Sequence, residues 1–182
     1  VRNSAIMCSL ETFKIDLKAM KTDEMHREYT LDDAFFKALN ASEVKGGALH
    51  VSVSIRKATG FFELQFHTEG TVTVPCDLCL DDMSQPIVTD NMLIAKLGAE
   101  TNTDDDEVVI VDENEGILDT SWLIYEFVAL AIPIKHVHAP GKCNSAMTQK
   151  LAELSGAVRS GKEEAKEADP RWAALAKLKL EE

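Results

Sequence analysis

The stretch from Leu49 to Val74, LHVSVSIRKATGFFELQFHTEGTVTV, alternates apolar and polar residues almost without a break. An α-helix cannot gather that pattern on one side. Successive side chains of a strand point to opposite faces, so Val51, Val53 and Ile55, and then Phe62, Leu64 and Phe66, look towards a common core. The intervening Ala58-Thr59-Gly60 reads as the turn of a hairpin. Thr71 to Val74 continues the alternation directly into Pro75 and Cys76, which places a cysteine where a strand ends. Two further runs, FKIDL at 13–17 and IVTDNMLIAKL at 87–97, also read as strands, the second lying beyond a loop that contains DDMSQP. A short strand is expected at 108–111.

The period changes twice. In TLDDAFFKAL, the residues Leu31, Ala34, Phe35, Ala38 and Leu39 share a helical face, with Thr30 placed to cap and Asp33 three positions on. SWLIYEFVALAI is apolar nearly all round, is preceded by Asp119 and Thr120 as capping residues, and is followed by a helix-ending Pro133. These elements predict an α+β fold. It consists of a mainly antiparallel β-sheet of five or six strands, a helix at 31–39, a buried central helix at 120–132, and a loosely attached C-terminal helical tail.

A chain of 182 residues supports one such core with an appendage. The boundary is expected near residue 146, where Ala, Glu, Lys and Ser replace large apolar residues and SGAVRSGKEEAKEADP reads as a mobile connection. Residues 1–146 would then form the α+β domain and 147–182 the tail. In DPRWAALAKLKL, Asp169 can cap, Pro170 suits the first helical position, and Trp172, Leu175 and Leu178 make a short apolar stripe. A helix that short needs something to dock against. Glu126 interrupts the longest apolar run, which is shorter than the roughly 20 residues a membrane helix requires. No signal-peptide pattern opens the sequence, and the expected location is cytoplasmic.

The formal net charge is -12, and residues 100–119 alone contribute nine acids and no Lys or Arg. Such a run reads as a solvated loop, or as a docking surface for a basic partner. It also argues against strong binding to naked RNA. Lys135, Lys142, Arg159, Arg171, Lys177 and Lys179, with Trp172 among them, form only a thin basic stretch in the last third.

Four cysteines in a chain of this length argue against a disulfide framework. Cys76-x2-Cys79 can supply two thiolates from a strand-end knuckle, and HVHAPGKC supplies His136, His138 and Cys143. A tetrahedral Cys3His site for one structural zinc follows if these half-sites meet. His138 is favoured because Pro and Gly between it and Cys143 allow the chain to fold back; His136 is the alternative ligand. Three other readings share these residues: buried thiols with surface histidines, a redox pair, and a Cys/His nucleophile. The acids Asp81 and Asp82 are expected to raise a nearby thiol's pKa, which weakens the redox reading. No phosphate-cradling glycine loop, HExxH or nucleophile elbow is found, so no catalytic residue is assigned.

Taken in order, GTVTVPCDLCLDDMSQPI, GILDTSWLIYEFVALAIPIKHVHAPGKC and DPRWAALAKLK resemble the YceD family over roughly residues 10 to 182. The resemblance implies a role in accumulation of large-subunit ribosomal RNA; the expected mode is non-enzymatic, with a ribosomal protein or pre-ribosomal particle as partner. It places Cys76, Cys79, His138 and Cys143 at the family's Cys, Cys, His and Cys positions. Asp169, Pro170, Arg171 and Trp172 stand at its closing element, which with Leu175 and Leu178 is the candidate partner-binding segment. Leu78 departs from the basic residue often found before the second cysteine.

Overall fold

A computed structural model of the chain describes residues 10–99 and 108–159. Five strands form one sheet in the order β2-β3-β4-β5-β6: β2 (Glu24–Leu31), β3 (Gly46–Ala58), β4 (Phe61–Pro75), β5 (Asp82–Gly98) and β6 (Val108–Asp112). Neighbours are antiparallel except β5 and β6, which run parallel. β1 (Lys14–Asp16) and β7 (Ile117–Asp119) pair antiparallel as a separate ribbon. Three helices complete the described residues: α1 (Asp33–Ala38), α2 (Ser121–Leu130) and α3 (Ser145–Arg159). The architecture is α+β.

The alternation in β3 and β4 does what the sequence requires. Val51, Val53, Ile55, Phe62, Leu64 and Phe66 are all buried on one face of the sheet. Against that face lie Phe35 and Phe36 of α1, Phe13 and Ile15 at the ribbon, and Ile124, Tyr125 and Val128 of α2, forming one core. Aromatic contacts join the pieces: Phe13 stacks on Tyr29 with centroids 4.7 Å apart, and Phe66 meets Phe127 edge-on at 5.2 Å. α2 buries one side only, leaving Trp122 56% and Leu130 77% exposed. Its start is fixed to the ribbon, because Thr120 donates its hydroxyl to the Phe13 carbonyl while Asp119 accepts from the Ser121 N–H and hydroxyl.

Several boundaries differ from the sequence expectations. Thr30 is a strand residue in β2, and the cap of α1 is Asp32, whose carboxylate accepts the N–H groups of Ala34 and Phe35. The strand β2 went unread because Tyr29 and Leu31 alone are buried along it, while its other side shows Glu24, His26 and Glu28. DDMSQP is mostly strand, since β5 begins at Asp82 and pairs with β4 from Pro75 onwards. Over that stretch β5 has a described neighbour on one side only, so Pro86 breaks no second ladder. α3 crosses residue 147, where the tail was expected to begin. The segment 160–182, with its DPRW element, lies outside the described residues, as does Cys8.

Gly70 is held where a side chain has no room. Its φ is +143°, and a Cβ there would stand 2.3 Å from the Ala48 carbonyl oxygen of β3. Gly70→Ala is therefore expected to cost about 2 kcal/mol, through backbone strain and a displaced strand. A urea midpoint unchanged from the parent would show that β3 and β4 do not approach so closely.

Candidate metal centre

β4 and β5 are joined by the six residues Cys76 to Asp81, and the pairing of Pro75 with Asp82 closes that loop tightly. Within it the Leu80 N–H reaches the Cys76 carbonyl at 2.9 Å and the Cys76 N–H reaches the Asp81 carbonyl at 2.9 Å. Leu80 takes a left-handed φ of 65°, which turns the chain back into β5. The Leu78 N–H points at the Cys76 sulfur, 3.4 Å away. Both cysteines of the knuckle are thereby turned inwards.

The second half-site follows α2. The helix stops at Leu130, and the chain runs through Pro133 without helix or strand to Asn144, where the side-chain oxygen caps α3 by accepting from the Ala146 N–H at 3.0 Å. A tight turn at Gly141, φ +78°, with Lys142 N–H donating to the Ala139 carbonyl, brings Cys143 back beside His138.

The two halves meet. Cys76 Sγ lies 3.9 Å from Cys143 Sγ, Cys79 Sγ 3.4 Å from His138 Nδ1, and Cys143 Sγ 4.0 Å from the same nitrogen. All four donor atoms fall within 4.8 Å of one another. A tetrahedron with metal–sulfur bonds of about 2.3 Å has edges of about 3.8 Å, slightly less where imidazole replaces sulfur. The observed separations suit that figure and are far too long for a disulfide, whose S–S bond is about 2.05 Å. Cys76 and Cys79 are buried and the other two half-buried. Three soft thiols and one imidazole fit zinc, and four protein donors fill a closed structural site.

A family model described as "Large ribosomal RNA subunit accumulation protein YceD" matches residues 64–179, more than half of the chain. The chain belongs to the YceD family. The matched span starts within β4 and contains both halves of the four-donor cluster, α2, α3 and the DPRW element. No curated protein and no solved structure matches the chain.

In this YceD chain the electrostatics of the cluster depart from the expectation that Asp81 and Asp82 would raise the thiols. Burial works against the Cys76 thiolate, but the N–H groups of Cys79, His138 and Leu78 and the His138 ring outweigh it, holding the thiol down at about 6. Asp81 instead accepts the Cys76 N–H at its backbone carbonyl and the Asn144 side-chain amide at its carboxylate, 3.1 Å away, while Asp82 pairs with Lys45. Cys143 is pushed the other way, up to about 11, by burial and by the sulfurs of Cys76 and Cys79. The Cys76 sulfur thus carries charge while Cys143 keeps its proton, as expected where thiols crowd one point.

His136 does not join the thiols. Its Nδ1 faces the Pro133 carbonyl at 3.0 Å and its Nε2 lies 3.6 Å from an Asp77 carboxylate oxygen. Asp77 and Asn144 were not singled out from the sequence, and Asp81 was read only as a charge beside the thiols; each bonds across the junction between the half-sites. The motif spacing gave no signal for them, since their partners lie some sixty positions away. Asp169, Pro170, Arg171, Trp172, Leu175 and Leu178 lie outside the described residues. Among the described residues, no helix is long and apolar enough to cross a membrane.

Proposed function

We propose that the chain is a non-enzymatic factor in large ribosomal subunit biogenesis, acting in accumulation of large-subunit ribosomal RNA through contact with a ribosomal protein or an rRNA–protein intermediate. The observation that carries this reading is the family match over residues 64–179. Within that span the four-donor cluster joins the β4–β5 knuckle to the start of α3. One structural zinc there would fix the direction in which α3 leaves the domain. A net charge of -12 disfavours naked RNA, whose phosphates repel it, and favours a basic protein surface.

The depressed Cys76 thiol gives a second reading, a thiol-dependent enzyme, some support. Exposure weighs against it, because Cys76 is 0% and Cys79 2% accessible, so a substrate cannot reach either sulfur without opening the knuckle. Slow alkylation of both in the native protein is expected; rapid alkylation of Cys76 would favour the enzyme.

The functional test is sedimentation. The full chain is expected to travel with large-subunit precursor particles in a gradient, and deletion of 165–182 is expected to reduce that association several-fold while leaving the far-UV spectrum of the sheet intact. If the full chain stays at the top of the gradient, the ribosomal reading fails. If the deletion travels unchanged, the tail is not the contact.

A further inference from the structure

The 133–143 loop has no regular structure of its own, yet it delivers two of the four donor atoms to within bonding range of a shared point. Asp77, one of the two residues between the cysteines, holds it there by gripping both backbone polar groups of one residue opposite: the Asp77 N–H donates to the His136 carbonyl at 3.0 Å, and the His136 N–H donates to Asp77 Oδ2 at 2.7 Å. The second of these is a hydrogen bond to a carboxylate, roughly twice as strong as a neutral one. The imidazole of His136 adds a weaker contact, with Nε2 3.6 Å from Asp77 Oδ1, and its Nδ1 is directed at the Pro133 carbonyl, which fixes the ring over the start of the loop. His138 follows two residues later. A second tie, from the Asn144 amide to Asp81, secures the far end of the loop.

We infer that Asp77 is a positioning residue that preassembles the four-donor site, fastening the 133–143 loop to the knuckle through His136 so that His138 and Cys143 already face Cys76 and Cys79 when a metal arrives. The inference rests on the metal reading above for its purpose, but the clip is built only of this chain's own groups. A loop ordered in advance does not have to be ordered by the metal, and the affinity rises by what that ordering would have cost. The same arrangement explains why His136 is unsuited as a ligand: its backbone is the handle by which the loop is held.

The test uses the full-length protein stripped with chelator, as the parent, Asp77→Ala and Asp77→Asn, with two readouts. Zinc affinity is measured by competition with a chromophoric chelator, and protection of the His136 amide by hydrogen exchange in the metal-free state. Asp77→Ala is expected to weaken zinc binding 10- to 100-fold, the range seen when groups that orient metal ligands are removed. It is also expected to lose the His136 protection. Asp77→Asn keeps an acceptor oxygen and should lose only a few-fold, which preserves the test if the alanine variant fails to fold. Parent-like zinc affinity in both variants overturns the inference, as does an unprotected His136 amide in the metal-free parent. A parent that takes up no zinc removes the metal reading alone. The clip is then upheld if Asp77→Ala releases the His136 amide and rejected if it does not.

Discussion

Protein purified without chelator is expected to carry about one zinc per chain, and Cys79→Ser to carry almost none. Cys79 is the sulfur nearest the imidazole, at 3.4 Å, so replacing it removes one corner of the tetrahedron and leaves three donors that cannot close the shell. Chelation of the parent should free the thiols of Cys76, Cys79 and Cys143 to a thiol reagent together. Structural zinc binds zinc-finger peptides with roughly 10 to 16 kcal/mol because it folds them. Here the core is built by the sheet, α1 and α2 without the cluster, so metal loss should loosen α3 while the sheet stays folded and the 133–143 loop stays tied at His136. In a melting experiment, zinc at a thousandfold excess over its dissociation constant would still add about 4 kcal/mol. Acid should reverse it. Cys143, with its thiol pushed up to about 11, holds a proton at neutral pH that the metal must displace, whereas Cys76, held down at about 6, does not. Affinity should therefore fall by up to about tenfold for each displaced proton per unit of pH, and more steeply below pH 6, where Cys76 also takes up a proton. A parent without zinc, or Cys79→Ser with a full complement, would end the structural-metal reading.

What the sequence made legible follows from which partners each residue answers to. Val51, Val53, Ile55, Phe62, Leu64 and Phe66 answer to one apolar face, so alternation alone places them, and all six are buried. The donor residues Cys76, Cys79, His138 and Cys143 are legible by type, since few side chains bind zinc and they stand in two short groups. Selection of His138 over His136 was suggested by the Pro-Gly turn before Cys143; that the backbone of His136 is held by Asp77 could not have been read, because the two are 59 positions apart. Thr30 was misread as a cap because its spacing to Asp33 imitates a capping box, while Asp32 does the capping and Asp33 accepts the Gly47 N–H of β3. DDMSQP was misread because polarity and a proline signal a loop locally, whereas the strand there is imposed by β4. Errors of this kind fall where a long-range partner overrides the local pattern.

Phe66→Ala should be among the most destabilising single substitutions in the domain. Phe66 sits in β4, between Val53 of β3 and Asn91 of β5, and is 2% exposed. Its ring meets that of Phe127 edge-on, which is how the middle of the sheet grips α2. Truncation removes the burial of a large side chain and leaves a cavity under the helix, for about 4 kcal/mol, with the lost ring pair adding about 1. Phe66→Leu keeps most of the volume and should cost less than about 2. The difference between the two variants, read from urea midpoints at equal slope, isolates the cavity from the aromatic pair. The substitution should also reach the candidate metal centre, because α2 ends three residues before Pro133, where the loop carrying His138 and Cys143 begins. If α2 is held by Phe66, the alanine variant should bind zinc several-fold more weakly than Phe66→Leu, even where both are folded. Equal zinc affinity in the two folded variants would mean that the loop is positioned by the knuckle alone, through Asp77 and Asp81, and that the sheet supports the site only through the ends of β4 and β5.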